Sequence, residues 1–241
     1  MANFNQNNQG FSPTVEREAM DVGLRSYMLK VYNYMGLGLA FTAVIVLYMS
    51  KNPELMQSIA MGPMKWVLFA GVLGLGFFSP KLIFSGNKVL AHGAFWLYAA
   101  LWGAMISPMV SYYLNTNPQL IIQALTSTVV VFGGMSLLGY TTKKNLSGFG
   151  TFFTMAFIGV IAISFLNLFF FESSLFSAII SGAVVLLIAG VTAYETQQIK
   201  KMYYQGGNTS EKAIFGAFML YGSFITLFIH ILNLLGFMNS D

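Results

Sequence analysis

Seven long apolar stretches, separated by short polar segments, dominate this chain of 241 residues. A helix needs about 20 mostly apolar residues to cross the hydrocarbon core of a bilayer, whereas a membrane β-strand shows about 10 residues of alternating polarity. The pattern therefore predicts an all-α, polytopic membrane protein with seven transmembrane helices. The predicted spans are Val31–Met49, Trp66–Ser79, Val89–Leu114, Leu120–Tyr140, Phe149–Phe171, Leu175–Tyr194 and Ala213–Met238.

Two of these spans depart from the simple pattern. Trp66–Ser79 is short, but Lys65 and Lys81 flank it and can extend their charged ends to the membrane interface. Ala213–Met238 is long but carries several polar residues, which lower its hydropathy. A six-span protein that leaves this last helix outside the membrane is therefore the alternative to seven spans.

The composition points to the same class of protein. Hydrophobic residues make up 56% of the chain and charged residues only 8%, against about 25% charged residues in soluble domains. The net charge of +4 comes from basic residues that lie between the apolar stretches. Such residues are expected to set membrane topology rather than to bind nucleic acid. We therefore expect the lipid bilayer as a partner, and no nucleic acid.

The N-terminal segment differs from the rest of the chain. Residues 1–20 are polar, rich in Asn and Gln near the start, and predict a disordered tail. Glu16–Lys30 is predicted to form a short surface helix that leads into the membrane. Residues 21–241 are then expected to form one seven-helix transmembrane domain.

The basic residues divide unevenly between the two sides of a seven-span chain. Cytoplasmic loops of membrane proteins carry an excess of Lys and Arg. With a cytoplasmic N-terminus, only Lys51 and Lys65 face the outside, and Asp241 lies there too. The distribution therefore predicts a cytoplasmic N-terminus. The basic residues then placed inside are Arg17, Arg25, Lys30, Lys81, Lys88, Lys143, Lys144, Lys200, Lys201 and Lys212.

Ionisable side chains within the spans are few, and each costs about 2.5–3.5 kcal/mol to insert. Glu195, at the end of the sixth span, is the most informative of them. It is either a buried carboxylate with a function or an interfacial carboxylate that pairs with Lys200 at helical spacing. His230, Asn233 and Tyr194 are further candidates for polar pore or interhelical contacts, and His230 is expected to hydrogen-bond another helix.

The residues offer little support for catalysis or for a resident metal. The chain has no Cys, and its two His are far apart in sequence, which argues against a zinc site. Gly134-Met135-Ser136 together with His230 faintly resembles an intramembrane serine protease, but Leu137 stands where that motif has glycine. We therefore expect no enzyme activity, no cofactor and no metal site.

Small residues recur at every fourth position in two spans, and this spacing predicts faces on which helices approach closely. The first set is Ala99, Gly103, Ser107 and Ser111, and the second is Ser174, Ala178, Gly182 and Gly190.

Three segments together resemble the Bax inhibitor-1 family, also called the transmembrane Bax inhibitor motif family. They are Ser136–Ser147, Thr192–Lys200 and Lys212–Tyr221, the last continuing through Phe224–Phe228. The likeness extends over roughly residues 20–236. It implies seven helices with the last at the centre of the bundle, which accounts for a polar seventh span. This sequence resembles the bacterial variant of the family, which suggests a multi-pass protein of the bacterial inner membrane.

The resemblance also implies a function. Members of the family are associated with a pH-sensitive calcium leak, and some bacterial members modulate a membrane-bound protease. In calcium-leak members one Asp stands at the position of Glu195 and a second at the position of Ser223, and the two share a proton. This chain keeps the first acid as Glu and has lost the second, so Ser223 can donate a hydrogen bond to Glu195 but cannot share its proton.

Two functions follow as hypotheses. The first is passive flux of cations, with Ca²⁺ as a transient ligand, through a pore whose inner end carries the pH-sensing residues Glu195 and Ser223. The second is a non-transporting regulator that binds other membrane proteins, such as a quality-control protease. The acid at Glu195 favours the first, and the missing acid at Ser223 favours the second.

Overall fold

A computed structural model describes residues 13–207 and 209–239 of the protein, with side chains from residue 20 onward. The elements in this part of the chain are helices. A 3₁₀ turn, Ser147–Phe149, precedes the sixth α-helix, and a π-helical turn, Asn167–Phe171, follows it. The α-helices are α1 (Pro13–Met49), α2 (Pro53–Met61), α3 (Met64–Ile83), α4 (Lys88–Thr116), α5 (Pro118–Thr141), α6 (Gly150–Leu166), α7 (Ser174–Tyr204) and α8 (Ser210–Met238).

Seven of these helices are long and apolar enough to cross a membrane: α1 from Met20 onward, α3, α4, α5, α6 with its flanking turns, α7 and α8. The prediction of an all-α, polytopic membrane protein with seven spans is therefore confirmed. The six-span alternative is wrong, because α8 is itself one of the seven.

The connection between the first two spans contains α2, which the hydropathy pattern did not predict. Asn52 accepts a hydrogen bond from the backbone N–H of Leu55, and Pro53 occupies the first turn, so the helix has a regular N-terminus. Met56 and Ile59 are buried, while most of the other side chains are exposed. A helix of nine residues is too short to give a clear hydropathy signal.

The first helix begins earlier than the end of the predicted tail. α1 starts at Pro13, a residue suited to the first turn of a helix. It then continues without a break into the first span, so the predicted surface helix Glu16–Lys30 and that span are one element. The remainder of the predicted tail, residues 1–12, lies outside the described residues, as does Asp241.

The last helix lies at the centre of the bundle. In the most apolar window of α8, 67% of the residues are buried, against at most 39% in the corresponding window of any other span. The helices that pack most extensively against α8 are α1, α3, α4, α5 and α7. These neighbours shield the polar groups of α8 from lipid, where an unsatisfied polar group would cost several kcal/mol. The polar seventh span is therefore central, as predicted.

The small residues of α4 mark a close helix contact. Ala99, Gly103, Ser107 and Ser111 are all buried. A Cβ atom added at Gly103 would lie 3.1 Å from Ile45 of α1, so the backbones of α1 and α4 approach each other closely here. This face packs as its spacing predicts.

The small residues of α7 mark close contacts only in part: Ala178 is buried, and a Cβ atom at Gly190 would lie 3.2 Å from the Phe153 ring of α6. Ser174 is exposed, and a Cβ atom at Gly182 would meet open space. The helix instead turns a neighbouring face inward, with Ser181, Val184 and Ile188 buried. Spacing alone does not reveal which of two adjacent faces meets another helix.

α7 approaches α5 closely at a glycine that the spacing pattern did not indicate. A Cβ atom at Gly139 would overlap the carbonyl oxygen of Ala193 and lie 2.9 Å from both its Cα and its carbonyl carbon. Only a residue without a side chain fits there, since backbone atoms cannot rotate away as a side chain can. This contact fixes the position of α7 two residues before Glu195.

One end of the bundle, which we call the basic end, holds the start of the first span and the α3–α4, α5–α6 and α7–α8 connections. Its parts are joined by polar contacts. Lys30 Nζ lies 3.2 Å from Ser210 Oγ, and Tyr27 donates a hydrogen bond to the carbonyl oxygen of Lys212. Apart from Lys51 and Lys65, the basic side chains that the structure describes lie at or near this end.

Candidate functional site

A carboxylate and a hydroxyl meet where α7 and α8 pack together. Ser223 Oγ donates a hydrogen bond to Glu195 Oε2 at 2.6 Å. Ser223 is buried, whereas Glu195 is half-buried and so remains partly accessible. The structure thus places Glu195 beside the middle of the last helix, next to the residue that the family resemblance indicated.

Aromatic side chains from α4 and α8 form the other side of this site. Tyr98 stacks on Phe218, with ring centroids 4.0 Å apart, and it lies close enough to Glu195 to interact with its charge. A Cβ atom at Gly222 would lie 3.0 Å from the Tyr98 hydroxyl oxygen, so glycine makes room for this ring. Among the described residues, the side chain hydrogen-bonded to Glu195 is the Ser223 hydroxyl, and no second acid is bonded to it.

The lysine that offered the alternative partner for Glu195 binds elsewhere. Lys200 Nζ donates a hydrogen bond to the carbonyl oxygen of Tyr140 at 3.0 Å and lies 5.1 Å from the centre of its ring. A cation at this place interacts favourably with the carbonyl groups at the C-terminal end of α5. Within the described part of the chain, no basic nitrogen lies within 4.0 Å of the Glu195 carboxylate.

The α5–α6 connection is held against α7 just beyond Glu195. Gln197 donates from Nε2 to the carbonyl oxygen of Lys144 at 2.8 Å, and its Oε1 accepts from the N–H of Leu146 at 2.7 Å. Lys201 Nζ donates to Asn145 Oδ1 at 2.7 Å and also contacts Ser147 Oγ. Sequence reasoning did not assign these roles, although Gln197 lies within one of the segments that resemble the family.

A chain of hydroxyls adjoins the same turn of α7. Ser136 Oγ of α5 is hydrogen-bonded to Tyr32 of α1 and, at 2.9 Å, to Thr196 Oγ1 of α7. Thr196 follows Glu195 directly, so the cluster connects three helices beside the carboxylate. Hydropathy cannot reveal such a cluster, because its members come from three separate spans.

The remaining candidate residues are spread over other surfaces of the bundle. His230 Nδ1 lies 3.1 Å from Ser181 Oγ, a contact between α8 and α7. Tyr194 faces α6, where its ring packs 5.6 Å from that of Phe153. Asn233 is exposed. Neither Tyr194 nor Asn233 is brought to the Glu195–Ser223 pair, and Ser136 and His230 belong to different hydrogen-bonded groups.

The arrangement can exchange a proton and contact a cation weakly. A tight Ca²⁺ site needs six to eight oxygen ligands, and the pair offers one carboxylate and one hydroxyl. No group of three or more His, Asp and Glu residues suited to a metal occurs among residues 13–207 and 209–239. The geometry of the pair therefore fits brief cation contacts better than a stable complex.

Comparisons with known proteins identify the family. Residues 24–240 match the family model described as "Inhibitor of apoptosis-promoting Bax1". An uncharacterized protein of Rickettsia prowazekii is 39% identical over 230 residues, which cover 92% of this chain and 94% of that protein. The inner membrane protein YbhL of Escherichia coli K12 is 33% identical over 220 residues, covering 89% of this chain and 92% of YbhL. A membrane protein of Streptococcus pyogenes is 33% identical over 221 residues, covering 90% and 94%.

These relatives and the seven spanning helices place the protein in the inner membrane as a multi-pass protein. Because the family model covers nearly the whole chain, the protein belongs to the Bax inhibitor-1 family.

Proposed function

We propose that the protein is a passive cation leak channel, with Ca²⁺ as the transported ion and Glu195 at the inner end of the pore. The observation that supports it most is the Glu195–Ser223 pair, a carboxylate between two membrane-spanning helices without a basic partner among the described residues. Ionisable residues within membrane spans are rare and mark ion pathways and proton relays.

The weak ligand set suits transport better than storage. Conduction requires an ion site that is favourable enough to enter and weak enough to leave. One carboxylate, assisted by the Ser223 hydroxyl, gives Ca²⁺ fewer ligands than a tight site would. Transient binding at Glu195 is therefore the expected mode, and it needs neither catalysis nor a cofactor.

The described conformation corresponds to a closed pore in this proposal. Beyond Ser223, towards the end opposite the basic end, α8 buries Leu227, Phe228, Ile231 and Leu232 in the bundle interior. A hydrated ion cannot pass apolar side chains packed at this density. Flux therefore requires movement of the helices that surround α8.

In the proposed orientation the basic end faces the cytoplasm, as the positive-inside rule favours. Single cysteines in this Cys-free chain test it, at Ser85 in the α3–α4 connection and at Asn117 in the α4–α5 connection. An impermeant thiol reagent applied to spheroplasts should label the Asn117 variant, and should label the Ser85 variant only after lysis. The reverse pattern would invert the orientation.

Calcium flux in liposomes tests the proposed function. Purified protein is reconstituted into vesicles that contain a calcium indicator, and Ca²⁺ is added outside with and without an imposed potential. We expect an indicator signal that increases with the amount of protein and follows the calcium gradient. Vesicles of the same lipid without protein are the control. Absence of protein-dependent flux at every pH and potential would refute the channel.

The second hypothesis, a non-transporting regulator of other membrane proteins, draws support from α6. No residue of α6 is buried, and it packs mainly against α7 and its own flanking turns. An apolar helix on the outside of the bundle offers a surface for a membrane partner such as a protease. Under this hypothesis the vesicles stay impermeable, while detergent extracts contain a stable complex that depends on the exposed face of α6.

A further inference from the structure

A lateral groove opens between α1 and α5 near the basic end. Its volume is about 710 Å³, within the range of about 300–1,000 Å³ found for small-molecule sites. Phe132 of α5 and Phe224 of α8 line it, together with Leu29 of α1 and Leu137 of α5. Most of the side chains that line it are apolar, so the groove fits a hydrocarbon chain.

The groove continues into an open pocket that carries Arg25 and Lys30, along the exposed face of α1 at the basic end. Arg25 and Leu29 line both the groove and this pocket, which has a volume of about 510 Å³, is formed by α1 alone and adds Val22, Ser26, Lys30 and Asn33. Arg25 is exposed, and no carboxylate of a described residue lies within 4.0 Å of its guanidinium. Arg25 and Lys30, whose Nζ also contacts Ser210 Oγ, therefore place two cations beside the opening of an apolar groove.

The arrangement of a cationic pocket followed by an apolar groove matches the structure of a phospholipid. A phospholipid has a charged phosphate, polar ester groups and an acyl chain in the same order as the cationic pocket and the apolar groove. The two cations favour an anionic headgroup over a zwitterionic one. Asn33, exposed within the span, can bond to lipid ester oxygens, which reduces the cost of a polar side chain facing hydrocarbon.

We propose that this groove is a binding site for one anionic phospholipid. The headgroup phosphate binds Arg25 and Lys30, and an acyl chain lies between α1 and α5 on the rings of Phe132 and Phe224. Tyr32 and Ser136, two members of the hydroxyl chain beside Glu195, also line the groove.

The position of the lipid gives it a regulatory role. Phe224 follows Ser223 directly on α8, and Ser136 bonds to Thr196, the residue after Glu195. A chain in the groove therefore restrains the helices that carry the carboxylate. This regulatory step rests on the proposed channel function, whereas lipid binding itself does not depend on it.

Two adjacent glycines of α5 allow a matched test. A side chain at Gly133 extends into the groove, one at Gly134 does not line it, and a Cβ atom at either position meets open space. Protein purified in mild detergent is incubated with phosphatidylglycerol or phosphatidylcholine, and bound lipid is counted by native mass spectrometry. We expect wild type and Gly134→Phe to retain phosphatidylglycerol in preference to phosphatidylcholine, and Gly133→Phe to lose most of it.

A charge variant tests the headgroup independently of the groove. Arg25→Gln should weaken phosphatidylglycerol binding about five-fold, the effect of one basic side chain near an anionic lipid. Lys81→Gln, which removes an exposed charge from the same end but outside the groove, should bind as wild type does. Because Arg25 is exposed, its replacement keeps the test valid should Gly133→Phe fail to give monodisperse protein.

Equal retention by Arg25→Gln and Lys81→Gln, equal retention by the two glycine variants, or no preference for the anionic lipid would overturn the lipid site. Lipid binding is counted without reference to flux, so absence of calcium flux would contradict the channel and leave this site intact.

Discussion

Replacement of Gly139 by Leu is expected to prevent α5 and α7 from packing, so that the protein loses its folded, monodisperse form in mild detergent. The cause is the carbonyl oxygen of Ala193, which occupies the space that any side chain at this position would need. Overpacking a core costs about 1–3 kcal/mol, and more where neighbours cannot move. Here the neighbours are backbone atoms of a helix, so we expect a cost at or above the upper end of that range.

The same helix provides a control for this prediction. A Cβ atom at Gly134 meets open space, so Gly134→Leu should retain the melting temperature of the wild type, and Gly139→Ala should fall between wild type and Gly139→Leu. Melting in detergent and size-exclusion profiles measure the difference. Equal melting of Gly139→Leu and Gly134→Leu would show that α5 and α7 are farther apart than described.

The helical architecture could be predicted from the sequence because a bilayer permits few kinds of backbone structure. Backbone groups in hydrocarbon must bond internally, so each long apolar stretch has to be a helix. The first six spans therefore follow from hydropathy and, for the short second span, its flanking lysines. The polarity of the last span, which hydropathy leaves ambiguous, was explained by the family resemblance and confirmed by the burial of α8.

Which helix faces meet could be predicted only in part. Gly103 and Gly182 lie in similar patterns of small residues, but only Gly103 faces a close neighbour. The side chains that surround each position decide this, and they come from helices distant in sequence. Gly139, whose added Cβ would overlap the backbone of α7, belongs to neither pattern. The link between Gln197 and the α5–α6 connection likewise depends on where a loop lies in space.

The two residues of the candidate site, Glu195 and Ser223, were identified from the sequence in two different ways. The unusual position of an acid near the end of a span singled out Glu195, since few charges occur within the spans. Its neighbour Ser223 was indicated by the family resemblance, because twenty-eight residues of sequence separate the two positions. The hydroxyl chain of Tyr32, Ser136 and Thr196 was not anticipated, since serine and threonine are common in membrane helices and their positions alone indicate no shared site.

Replacement of Glu195 by Gln is expected to have the largest effect on transport. In the proposed channel the ionised carboxylate attracts Ca²⁺ and the protonated one does not, so flux should rise as pH rises through the titration of Glu195. A single carboxylate without a second acid should titrate one proton. Gln has nearly the shape of Glu and stays neutral, so Glu195→Gln should conduct at the low level of the protonated wild type at every pH.

Ser223→Asp places a second acid beside the first and should change this profile. Two carboxylates at hydrogen-bonding distance titrate as a coupled pair, with two apparent pKa values that belong to the pair. We expect the calcium flux of this variant to change with pH in two steps. A profile identical to that of the wild type would show that residue 223 does not influence the titration.

The most direct test of the channel with Glu195 in its pore is calcium flux into vesicles between about pH 5 and 9, the range in which a perturbed carboxyl group titrates. Wild type and Glu195→Gln are compared with Glu211→Gln, which makes the same chemical change in the first turn of α8. We predict that wild type and Glu211→Gln share one pH-dependent profile, while Glu195→Gln gives a low flux that does not change with pH. Flux through Glu195→Gln with the pH profile of the wild type would contradict the account.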